Sequence, residues 1–151
     1  MDLNVVAAGV AGIIGTAVMT GMMLGAKRLN LPAVDAHGIL GYLRYADRAS
    51  SLGYLAHFVL GAVMAIGYGL AFAVLPGPIL ALGAVLGALH WLLVGWMFAF
   101  APLAHAGMKA GTIQPTGPYM LRSLGLPGFV AGLIGHIVFG LVVAGIYGAL
   151  V

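Results

Sequence analysis

Four uninterrupted apolar stretches dominate the chain and leave it few ways to fold. They run over Asn4–Ala26, Ser50–Val74, Pro78–Ala101 and Pro127–Leu150. Each is close to the roughly 20 residues that an α-helix needs to cross a bilayer. Inside hydrocarbon every backbone N–H and C=O must find a partner within the protein, which restricts spanning segments to helices or closed barrels. A barrel strand is about 10 residues of alternating polarity; these stretches are longer and apolar on all sides. The expectation is an all-α integral membrane four-helix bundle in one domain. Only 6% of the 151 residues are charged, far below the quarter that covers a soluble domain.

The connections set the topology. Leu75-Pro76-Gly77-Pro78 is a tight turn that makes the second and third helices antiparallel. The other two links, Lys27–Ala49 and Pro102–Leu126, are long and lie on the opposite face. They hold all six Lys and Arg residues. By the positive-inside rule the two loops are cytoplasmic and both termini lie outside. Six cations dispersed over two loops form no phosphate-binding stripe, so nucleic acid is not an expected partner. Ile39, Leu40, Tyr42 and Leu43, interleaved with Arg44, Asp47 and Arg48, fit a short amphipathic helix on the leaflet surface. The chain has no cysteine, which excludes thiolate metal sites and iron–sulfur clusters.

The helices carry small residues four apart, for example Gly53, Gly61, Ala65 and Gly69 in the second and Gly128, Gly132, Gly140, Ala144 and Gly148 in the fourth. Such stripes let helix backbones approach closely in lipid. The same two helices also resemble each other. Gly53–Phe72 laid on Gly132–Val151 without a gap pairs Gly53, His57, Val59, Gly61, Val63, Ala65, Tyr68 and Gly69 with Gly132, His136, Val138, Gly140, Val142, Ala144, Tyr147 and Gly148. The chain therefore reads as two tandem helical hairpins related by a pseudo-twofold axis along the membrane normal.

His57 and His136 become equivalent in that alignment, each roughly nine residues or 14 Å in from a loop boundary. His90, in the third helix, lies at a similar depth of roughly 16 Å. Ionisable side chains inside a bilayer are costly and face the bundle interior, which makes all three functional candidates. Four readings are open. His57 and His136 could ligate haem b, with Gly61 and Gly140 making room for the porphyrin and Arg44, Arg48 and Arg122 meeting its propionates. His57, His90 and His136 could bind a metal ion. The histidines could serve a quinone or a proton relay. They could also be interhelical hydrogen-bond glue. No Asp or Glu falls inside a helix, which argues against carboxylate-based transport. His37 and His105 are loop residues. Tyr68 and Tyr147 fall near the outer interface and read as an aromatic belt, and Trp91 beside His90 reads as packing.

The segments LHWLLVGWMFAFAPLAH (Leu89–His105), GLIGHIVFGLVVAGIYG (Gly132–Gly148), GTAVMT (Gly15–Thr20) and Leu31, Pro32 and Asp35 resemble small bacterial four-helix inner-membrane proteins grouped as a domain of unknown function. The resemblance implies a membrane fold and points at His90 and His136; that family carries no activity to transfer. The expected function is that of a non-enzymatic membrane protein, or a subunit of a homo-oligomer or larger complex. The alternatives are a purely structural subunit and a small-solute pathway.

Because the chain lacks cysteine, single-cysteine variants test the orientation directly. Lys109→Cys should react with a membrane-impermeant maleimide only in inverted vesicles, and Asp2→Cys only in intact spheroplasts. The reverse pattern refutes the assignment.

Overall fold

The computed structural model describes residues 2–31, 39–40 and 49–151, with no side-chain detail at 49 and 50. Arg44, Arg48, His37 and most of the expected amphipathic loop helix lie outside the described residues. The described chain is helical and contains no strand. Its long elements are α1 (Val5–Arg28), α2 (Ala49–Val74), α3 (Ile79–Met97) and α4 (Leu121–Leu150). Four spans, Val5–Arg28, Ser51–Val74, Ile79–Ala104 and Pro118–Leu150, are long and apolar enough to cross a membrane. The protein is a multi-pass membrane protein built as a four-helix bundle.

Each helix boundary has a local cause. Asn4 caps α1, its Oδ1 accepting from the Ala7 N–H at 3.0 Å. Lys27 and Arg28 close the helix where the macrodipole favours cations. Pro78 stands at the N-cap of α3, where its missing N–H costs nothing. Beyond Met97 the chain tightens into a 3₁₀ turn, Phe98–Phe100, and a one-turn helix, Ala101–Ala104. α4 is broken at Gly125, whose φ of 64° and ψ of −161° suit only glycine. Pro127, where the sequence placed the start of the fourth span, follows inside the helix, which is entered six residues earlier at Leu121.

Glycine sets the packing. A Cβ added at Gly12 would stand 2.6 Å from the Gly61 carbonyl oxygen and 2.7 Å from the Ala65 methyl. A Cβ added at Gly83 would stand 2.5 Å from the Gly140 carbonyl oxygen and 2.6 Å from the Ala144 methyl. α1 is thereby pressed onto α2, and α3 onto α4, backbone against backbone. α1 and α4 also pack extensively and form the centre. α2 touches α3 and α4 only slightly, although the tight turn joins it to α3. A twofold exchange of hairpins would make the α1–α4 and α2–α3 interfaces alike; one is extensive and the other slight.

The interior holds Ala7, Ala8 and Ala11 of α1, Ala65, Tyr68 and Phe72 of α2, and Phe139, Val143, Ala144 and Tyr147 of α4. Large side chains such as Val6, Leu55, Val63, Val85, Leu93 and Leu126 point outward, the arrangement expected where lipid is the surrounding solvent. Tyr147 is wholly buried, and its hydroxyl ties down the N-terminal segment. It accepts from the Asn4 N–H at 3.0 Å and donates to the Asp2 carbonyl at 3.3 Å.

Gly12→Leu and Gly83→Leu should each destabilise the bundle by about 1–3 kcal/mol or more, because a backbone must move. Gly67, with nothing within 4 Å of its added Cβ, should accept alanine with a change below about 1 kcal/mol. Unfolding of the three variants by steric trapping in bicelles checks the contrast.

Candidate functional site

Three helices deliver the polar interior groups. α2 runs from the long-loop end to the tight-turn end and α3 runs back. Helical side chains lean toward their own N-terminus, so Tyr68 of α2 leans toward the long-loop end and His90 of α3 toward the tight-turn end, each toward the other. The Tyr68 hydroxyl lies 3.2 Å from His90 Nδ1. This contact bridges two helices that otherwise hardly meet.

His136 of α4 completes the group. Its ring stands perpendicular to that of His90, with centroids 4.8 Å apart. His136 Nδ1 lies 2.8 Å from the Gly132 carbonyl oxygen one turn back. A carbonyl only accepts, so Nδ1 is the protonated nitrogen, and Nε2 of the neutral ring carries the lone pair. Phe139, one turn further along α4, sits edge-on to both Tyr68 at 5.7 Å and His90 at 5.9 Å. On the loop side Trp91 is fully buried over Gly132, with its ring centroid 5.1 Å from that of His136. Its Nε1–H has no acceptor among the described residues. The cluster is therefore an aromatic group holding two imidazoles and one phenol. Its groups can donate and accept hydrogen bonds, and no carboxylate is present in any span to stabilise a cation.

The expected site residues divide. His90 and His136 meet. His57 is elsewhere on α2, its ring edge-on to Phe58 at 6.4 Å, and among the described residues no three His, Cys, Asp or Glu side chains converge as a metal site. Gly61 and Gly140 were expected to open space for a porphyrin. That space is filled by the neighbouring helices: Gly12 and Thr16 of α1 press on Gly61, and Gly83 and Gly87 of α3 press on Gly140. Arg122 is exposed and precedes the Gly125 break, with its backbone held by Thr116 and Gln114. His105 is 2% exposed and accepts from the Met108 N–H at 3.3 Å, capping the one-turn helix Ala106–Lys109.

Two corrections concern tyrosine. Neither Tyr68 nor Tyr147 belongs to a lipid-facing aromatic belt; both are turned into the bundle, at 4% and 0% exposure. The Cα of each lies near the tight-turn end of its helix, whereas a tyrosine hydroxyl acts well toward the N-terminal side of its own Cα. Tyr68 joins the site for that reason, and Phe139 joins it through ring contacts that the sequence does not announce. The direction in which each helix runs was the available signal. Comparison of the chain with protein-family models, with curated protein sequences and with solved structures gives no match.

Tyr68→Phe removes one interhelical hydrogen bond without changing shape. A double-mutant cycle with His90→Ala should return a coupling of about 0.6 kcal/mol, with an upper bound near 1.7 kcal/mol. The same cycle run between Tyr68→Phe and His57→Ala should return none.

Proposed function

We propose that this chain is a non-enzymatic protein of the bacterial inner membrane that holds a lipid-soluble ligand of the quinone class against Tyr68, His90 and His136. In this reading the long loops are cytoplasmic and the termini lie outside. The observation that carries it is the Tyr68–His90 contact at 3.2 Å across the slight α2–α3 interface. A molecule dissolved in the bilayer reaches that interface sideways, without crossing water. A quinone suits the groups there: its carbonyls accept hydrogen bonds from a phenol or an imidazole N–H, and its ring lies against Phe139. It needs no counter-charge, and the spans contain no carboxylate, their cations Lys27, Arg28 and Arg122 standing at the long-loop ends.

Haem and metal fit less well. Paired glycines that contact helix backbone leave no slot for a porphyrin, and two imidazoles without a third ligand make a poor zinc or copper site. The glue reading is favoured by the same Tyr68–His90 bond, which ties α2 to α3, while the bond from His136 Nδ1 to Gly132 satisfies that ring within its own helix. Membership of the bacterial four-helix family rests on the motif likeness. A duplicated hairpin is supported by matched contacts: aligned residues Gly61 and Ala65 receive Gly12 as Gly140 and Ala144 receive Gly83. The outward apolar faces of α2 and α3 leave room for a second copy or a larger complex.

Trp91 is a built-in reporter beside His136. In a Trp96→Phe background, a short-chain ubiquinone analogue should quench Trp91 fluorescence saturably. Tyr68→Phe and His90→Ala should each weaken the apparent affinity about fivefold to tenfold, the worth of one hydrogen bond. Linear quenching that is indifferent to both substitutions would leave the histidines as glue.

A further inference from the structure

The end of the bundle that carries the long connections is basic, and part of it is rigidly framed. In sequence the two long connections hold six Lys and Arg against Asp35 and Asp47, a net charge of +4. Lys27 and Arg28 close α1, Lys109 closes a one-turn helix and Arg122 opens α4, and all four are exposed. The only side-chain carboxylate among the described residues is Asp2, so no described acid neutralises them.

Lys109 and Arg122 do not hang from a loose loop. The Thr116 hydroxyl donates to the Phe98 carbonyl at 2.9 Å, the Arg122 N–H donates to the Thr116 carbonyl at 3.1 Å, and the Tyr119 hydroxyl donates to the Leu92 carbonyl at 3.0 Å. His105, Met108, Thr116 and Met120 are buried beneath. This frame adjoins an apolar belt at the same end of α3: Trp96, Phe100 and Leu103 are 53%, 55% and 70% exposed. Aromatic and aliphatic side chains at the hydrocarbon edge, with cations one step further out, match an anionic lipid in both of its parts.

We infer that this end is a docking surface for anionic phospholipids, with Lys109 and Arg122, flanked by Lys27 and Arg28, receiving the headgroup phosphate while the acyl chains cover Trp96, Phe100 and Leu103. An acidic polypeptide or a nucleic acid would satisfy the cations and leave the belt uncovered. Each cation near an anionic surface contributes about a fivefold preference, corresponding to about 1 kcal/mol. The inference is independent of the ligand site.

The test uses the full chain in nanodiscs of phosphatidylcholine, with and without about one-fifth phosphatidylglycerol. Phosphatidylglycerol should raise the melting temperature, and salt near 1 M, where the screening length is about 3 Å, should remove the gain. Lys109→Gln with Arg122→Gln should lose much of the shift while keeping wild-type helicity. Equal melting in both lipids would overturn the inference. So would reproduction of the shift by inorganic phosphate in phosphatidylcholine alone, which would assign the surface to a free anion. The wild-type salt arm decides the matter even if the variants fold poorly.

Discussion

The structure depends on backbone contact between helices. In lipid no hydrophobic force draws two apolar helices together, so association rests on dispersion contacts that only close approach supplies. Gly12 against Gly61 and Ala65 joins α1 to α2, and Gly83 against Gly140 and Ala144 joins α3 to α4. The α1–α4 interface then joins the two pairs, with Gly15 against Phe139 and Val143. Because the glycines are consumed in these contacts, α2 and α3 are held apart from one another even though a tight turn links them.

The polar cluster follows from that arrangement. With few contacts between α2 and α3, Tyr68 and His90 join the two helices by side chain, and Phe139 of α4 lies edge-on to both. His136 is fixed from two sides. Gly87 lets the His136 carbonyl come close to α3, and the bond to the Gly132 carbonyl sets the ring and its tautomer. The outcome is two imidazoles in edge-to-face contact, with a phenol beside them, where α2, α3 and α4 come together. Trp91 closes the loop side with Phe98, Tyr119 and Phe129 around it.

Much of the architecture was legible in the residues. The four spans and the tight turn at Leu75–Pro78 follow from apolar length and from proline and glycine chemistry, whereas α4 begins at Leu121, before the expected Pro127. The glycine stripes were legible as packing, and Gly61 and Gly140 each receive a neighbouring helix in that way. Of the histidines, the repeat singled out His57 with His136, whereas the meeting pair is His90 with His136. The reason is physical. A helix surrounded by lipid is apolar on every side, so its periodicity says little about which face turns inward. Equivalence along the sequence sets depth, and it does not set which neighbour a helix faces. Tyr68 illustrates the same gap: its place at the cluster comes from the lean of its side chain along α2.

The most direct test of the account is a ring-to-ring measurement by magic-angle-spinning NMR on histidine-labelled protein in bilayers. The account predicts short-range correlations between the imidazoles of His90 and His136, whose centroids are 4.8 Å apart, and His136 protonated at Nδ1 with Nε2 bare. Correlations between His57 and His136 in their place, or His136 protonated at Nε2 alone, would contradict it.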